Sequence, residues 1–184
     1  MAAKIEPDRL LLAKIAQGGE KAFYTLYQRC ADALFGYALV LSGERTIAED
    51  ILQEVFLMVI QKAGELHKVE NLSNYLYKSV QNQWRNHARR RQREQDVLQK
   101  AGFKQVLIDP EKDERADDET LDRLNRALAG LPVRQRELIM LKNYNGLTFR
   151  DIAVILEEPL QTVATRHRAA VEKLKERFSH GQSS

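Results

Sequence analysis

Apolar residues recur at three- and four-residue steps along most of the chain, and no stretch alternates for long, so the pattern predicts helices and no sheet. A short helix follows Pro7 and stops at Gly18-Gly19. From about Glu20 to Leu41, the residues Phe23, Leu26, Tyr27, Cys30, Leu34, Tyr37, Ala38 and Leu41 fall on one face, and Ser42-Gly43 closes the helix. A third helix begins at Thr46, where Glu49 three residues on completes a capping-box pattern, and it runs to Gly64. Its buried face is Ala48, Ile51, Leu52, Val55, Val59 and Ala63. A fourth starts near Asn71–Ser73 and continues to about Arg93. Four more follow: Thr120–Ala129, Val133–Asn143, Phe149–Leu156 and Leu160–Phe178. Pro7, Pro110, Pro132 and Pro159 each fall at a boundary between elements.

The segment from Glu94 to Glu119 breaks this pattern. Gly102 and Pro110 interrupt it, and Asp109–Glu119 holds seven acidic residues against two basic ones. It reads as a linker, partly disordered. The expected fold class is therefore all-α, with two small helical domains, residues 1–94 and 120–184, joined by an acidic connector at 95–119. The C-terminal domain is expected to contain a helix-turn-helix.

Composition adds bounds. With 184 residues and 43% apolar content, two small cores are affordable; a net charge of +3 says little about partners. The single cysteine, Cys30, permits no intramolecular disulfide and sits at a core-facing helical position, where a buried structural thiol is expected. The N-terminus lacks a signal-peptide apolar run, and no stretch approaches the length of a membrane span, so a cytoplasmic protein without membrane insertion is expected. His67, His87, His167 and His180 show no metal-ligand spacing, and no glycine-rich phosphate loop or HExxH pattern occurs. Neither an enzyme nor a metal or cofactor site is expected; His67 and His167 read as surface or DNA-edge residues.

Three faces stand out. On the third helix, Asp50, Gln53, Glu54, Leu57 and Gln61 lie opposite the buried face, with Leu57 amid polar neighbours. This is either a docking surface or a solvated face with one stray leucine. On the fourth, six Lys or Arg fall between Lys78 and Arg93 with no acid. Lys78, Asn82, Arg85 and Arg89 make one stripe, with Gln81, Asn86 and Arg93 beside it, Tyr75 at its edge, and Tyr77 with Trp84 on another flank. Cations neutralise phosphates, amides bond base edges and rings stack on unpaired bases, so the stripe suits nucleic acid. The alternative is a solvated basic face. For Trp84, core packing is the simpler role. Third, Thr148 with Asp151 caps a short helix, a Glu157-Glu158 turn follows, and Pro159 opens the last helix. There Val163, Ala170, Val171, Leu174 and Phe178 face inward, while Gln161, Thr162, Thr165 and Arg168 face outward with Arg166 at one side. Such spacing fits a helix-turn-helix whose second helix enters the major groove, or an ordinary helical hairpin.

Taken in order, these segments resemble the extracytoplasmic-function (ECF) group of the sigma-70 family. GGEKAFYTLYQRC, AEDILQEVFLMV and NYLYKSVQNQWRNHARRRQR resemble sigma region 2; ALAGLPVRQRELIMLKNYNGLTFRDIAVIL and PLQTVATRHRAAVEKLK resemble region 4. The resemblance implies a transcription-initiation factor that brings core RNA polymerase to specific promoters and opens them, with no chemistry of its own. It assigns Asp50, Gln53, Glu54, Leu57 and Gln61 to the clamp helices of the polymerase largest subunit. It assigns Tyr75, Lys78, Asn82, Arg85, Asn86, Arg89 and Arg90, with the loop His67–Asn74, to the minus-ten element. Arg150, Gln161, Thr162, Thr165, Arg166 and Arg168 would read the minus-thirty-five element. The flap of the second-largest subunit and an anti-sigma protein are further implied partners, and no cofactor is implied. The chain departs from the family pattern in five places. Tyr75 stands where Trp is usual, Asn86 where an acid is common, Glu157 where the turn usually has glycine, and Ala164 and Ala169 where cations are common. A polymerase-independent helix-turn-helix regulator remains the alternative function.

Overall fold

A computed structural model describes residues 7–100 and 127–180. The chain divides into two compact units, Met1–Asp109 and Pro110–Ser184. The described residues of the first are helical: α1 (Asp8–Ile15), α2 (Glu20–Ser42), α3 (Arg45–Leu66) and α4 (Leu72–Lys100). α2, α3 and α4 pack against one another, and α1 lies across α2 and α3. Leu11, Leu12, Leu34, Tyr37, Ile51, Val55, Val59 and Val80 form the core, and each aliphatic side chain withdrawn from water contributes about 1.5–3 kcal/mol. Every residue expected on the buried face of α3 is buried.

The boundaries shift for local reasons. At the end of α2, Gly43 adopts φ 72°, a left-handed conformation that costs glycine little, and its N–H closes on Leu39 O at 2.8 Å. The chain turns so tightly there that α3 restarts at Arg45 with Glu44 as N-cap. The expected capping box is therefore absent: Thr46 lies inside the first turn, and Glu49 Oε1 instead accepts from Arg45 Nε at 2.9 Å. α4 is capped by Asn71, whose Oδ1 accepts from the Asn74 N–H at 3.0 Å. It continues past Arg93 to Lys100, through a run with no helix breaker. Six residues of the expected linker are thus helix; the rest, 101–119, and the expected helix up to residue 126 lie outside the described residues.

The second unit holds helical residues 127–129, then α5 (Val133–Ile139), a π-helical turn (Met140–Tyr144), α6 (Phe149–Leu156) and α7 (Leu160–His180). α7 packs on both α5 and α6. Leu131, Ile139 and Ala170 form one cluster, flanked by Leu128, Val171 and Leu174. The expected helix Val133–Asn143 is thus α-helical only to Ile139. The Asn145 N–H reaches back five residues to Met140 O at 2.9 Å, one residue more than an α-turn holds. Glu137, 1% exposed, is a buried acid that periodicity did not single out; Arg134 Nη1 lies 3.5 Å from its Oε2.

Candidate functional site

Three surfaces carry the expected functional residues, two on the first unit and one on the second. On α3, Asp50, Gln53 and Gln61 are exposed and Glu54 half-buried, and Leu57 is 50% exposed, as the pattern implied. Leu57 is not a lone leucine. Ile60, one turn on, is 47% exposed, and both line a groove of about 320 Å³ with Phe23, Tyr27, Leu52 and Phe56. The aromatic wall is continuous: Tyr27 and Phe56 lie 4.7 Å apart between centroids, and Phe23 meets Phe56 edge-on at 5.9 Å. The apolar period of the sequence places Phe23 and Tyr27 on the buried face of α2. Here that face buries Leu34, Tyr37, Ala38 and Leu41 but opens toward its N-terminal end, leaving Tyr27 exposed and Phe23 half-buried. Ile60 and this aromatic wall were missed because one helix's period cannot show where its neighbour stops covering it.

Beside the groove, Glu54 Oε1 lies 3.7 Å from His87 Nε2, too far for a hydrogen bond. Cys30 is half-buried and its thiol donates to Leu26 O at 3.1 Å; burial, with Asp8 nearby, pushes its pKa up to about 12. It is a structural thiol, less enclosed than expected.

α4 presents its cations as expected. Asn82, Asn86, Arg89, Arg90 and Arg93 are exposed, and Lys78 and Arg85 half-buried. Two neighbours differ. Gln81, expected beside the stripe, is buried. Arg91 pairs with Glu44, which secures α4 to the start of α3. Tyr75 is half-buried and its hydroxyl lies 3.5 Å from Met58 Sδ. Tyr77 is core, edge-on to Tyr37 at 5.4 Å, and burial pushes its hydroxyl up to about 12. Trp84 is half-buried and shares a cleft with Ile47, His87 and Arg91.

The second unit forms the expected helix-turn-helix. Thr148 accepts from the Asp151 N–H, and the Asp151 carboxylate accepts from the Thr148 N–H at 3.1 Å, a complete capping box on α6. Glu157 caps the other end of α6 at φ 58°, the one left-handed non-glycine among the described residues. On α7, Val163 and Ala170 are fully buried, while Gln161, Thr165 and Arg168 are exposed, as is Arg150 on α6; Thr162 is half-buried. Arg166 is engaged: its Nη1 donates to both oxygens of Glu158, at 2.6 and 2.7 Å. His167, expected at the surface or the DNA edge, is half-buried and engaged within the unit. Its Nε2 lies 2.6 Å from Asn143 Oδ1, and its ring meets Phe149 edge-on at 5.3 Å. Burial, and then the nearby Lys142 ammonium, lower its pKa.

Comparison with known proteins follows this geometry closely. The profile of Sigma-70 region 2 matches residues 26–94, which hold most of α2, all of α3 and most of α4. That of Sigma-70, region 4 matches residues 121–174, through the helix-turn-helix. The chain belongs to the sigma-70 family, in its ECF group. It is 28% identical to the RNA polymerase sigma-H factor of Pseudomonas aeruginosa, over 91% of this chain and 93% of that one. It is 29% identical to the ECF RNA polymerase sigma factor RpoE of Cereibacter sphaeroides, covering 87% and 88%. Among solved structures it resembles the sigma factor RpoE of Bartonella quintana, crystallised with the anti-sigma factor NepR. There the TM-score is 0.68 and identity 26%, over 86% of this chain and 98% of that one. A likeness to CnrH, solved with the cytosolic domain of CnrY (TM-score 0.66, 22% identity, 96% and 99% covered), bears on the fold. Among the described residues no helix is long and apolar enough to cross a membrane.

Proposed function

We propose that this sigma factor holds core RNA polymerase through the α3 face, opens the minus-ten element with α4 and reads the minus-thirty-five element with α7. The exposure of Leu57 and Ile60 on an otherwise acid-and-amide face carries the first assignment. Apolar side chains left in water beside packed aromatic rings, ringed by polar groups, have the anatomy of a docking surface. Asp50, Gln53, Glu54 and Gln61 form its polar rim, and the clamp helices of the polymerase largest subunit are its proposed occupant. Lys78, Asn82, Arg85, Asn86, Arg89 and Arg90 present cations and amides to melted DNA, with Tyr75 beside them. Arg150, Gln161, Thr162, Thr165, Arg166 and Arg168 face the duplex. The flap of the second-largest subunit is the proposed contact of the C-terminal unit.

On this reading residues 1–94 and 120–184 are two working modules and 95–119 an acidic connector, the protein acts in the cytoplasm, and it has no chemistry of its own. Following the RpoE–NepR complex, an anti-sigma protein is a further proposed partner, competing for the Leu57 surface. A helix-turn-helix regulator working without polymerase would bind its duplex tightly alone. Mobility shifts and run-off transcription on genomic templates, with and without purified core enzyme, separate the two. Specific binding and transcripts that require core support the reading; specific duplex binding by the chain alone, unchanged by core, overturns it.

A further inference from the structure

The pair between Glu158 and Arg166 is the least expected feature of the DNA-facing unit. Glu158 lies in the turn before α7, one residue past the left-handed Glu157. Its two carboxylate oxygens clasp a single guanidinium nitrogen, Nη1, at 2.6 and 2.7 Å, and Arg166 still keeps 52% of its side chain in solvent. Arg134, which lines the same cleft, lies beside Glu137.

Two consequences follow from elementary electrostatics. An arginine with its charge uncompensated goes where the field is strongest, to the phosphates, and a phosphate contact carries no sequence information. Paired with a carboxylate, the arginine loses that long-range pull. The clasp also removes rotamer freedom while occupying only one of the three guanidinium nitrogens. What it leaves is a planar donor group in a fixed direction, the requirement for reading an acceptor edge in the major groove. Arg166 lies one turn beyond Thr162 and next to Thr165 on α7, along the face that the helix-turn-helix presents.

We propose that Glu158 is a specificity-determining positioning residue, which converts Arg166 from a sequence-blind phosphate contact into a directional reader of a base edge. The proposal rests on the assignment of α7 to duplex recognition. It also accounts for a chain with Ala164 and Ala169 where cations are common: with little phosphate grip to spare, α7 gains discrimination instead of affinity.

The test uses the full chain bound to core polymerase, captured on a duplex pool randomised across the minus-thirty-five segment, with bound DNA sequenced at several salt concentrations. Glu158→Gln keeps the shape and removes the charge. It is expected to lower discrimination at one or two adjacent positions about tenfold, the size of one lost directional contact. It should also steepen the salt dependence by about one unit, as Arg166 moves to a phosphate. In an Arg166→Ala background, Glu158→Gln should change neither quantity, and thermal melting should confirm that each variant is folded. An unchanged sequence preference in Glu158→Gln overturns the proposal, as does an equal effect of Glu158→Gln with Arg166 absent. Failure of the wild-type complex to select any sequence would instead overturn the assignment on which the proposal rests.

Discussion

Glu157 holds a backbone conformation that side chains disfavour. At φ 58° a Cβ crowds the following carbonyl, which costs about 1 kcal/mol relative to glycine. Glu157→Gly should raise the stability of the C-terminal unit by about that amount; a lower melting temperature would contradict the account. His167 sets a pH dependence in the same unit. Its pKa is lowered by burial and by Lys142, so the folded unit binds fewer protons than the unfolded chain. The stability of its neutral form is present above the ordinary value of about 6.5 and is lost as pH falls from there through the lowered one. The unit should melt at a lower temperature at about pH 5.5 than at about pH 7.5, and His167→Gln should flatten that difference. An unchanged difference in the variant would assign it to other groups. At this scale the sequence was legible where the cause is local. The Thr148–Asp151 box and the odd turn residue Glu157 both depend on three or four neighbouring positions. The Glu158–Arg166 clasp and the His167–Asn143 contact were not legible, because the angle between elements decides them.

Among the elements, α4 carries the clearest sequence signal. Lys78, Asn82, Arg85 and Arg89, at three- and four-residue steps with no acid in between, mark a face whatever the fold around it. Exposed Arg89 gives the sharpest test. Arg89→Ala should weaken open-complex formation and reduce its salt dependence by about one unit, read as promoter opening against ionic strength. Unchanged opening with an unchanged slope would make the stripe a solvated face. Where sequence reading failed on elements, the errors have physical sources. α3 starts a residue early because Gly43 reverses the chain so sharply. α4 runs on because nothing before Gly102 breaks a helix. The π turn after Ile139 inserts a residue that periodicity cannot detect.

At the scale of the molecule, the first unit leaves apolar surface uncovered along α3. Helical period gave the all-α class and the faces of α3, α4 and α7, because each element's own pattern marks its buried side. It gave Leu57 but not the groove around it. Phe23, Tyr27 and Phe56 come from two helices, and only their packing shows that α2 leaves its aromatic end open beside α3. On the proposed function, partner recognition belongs to this surface between two helices more than to one stripe. The measurement that tests it most directly is capture of purified core RNA polymerase by the full chain carrying Leu57→Glu. The expected result is at least about a tenfold loss of capture, as for a residue at the centre of an interface, with thermal melting unchanged. Capture at the wild-type level by a folded variant, or unfolding caused by the substitution, would contradict it.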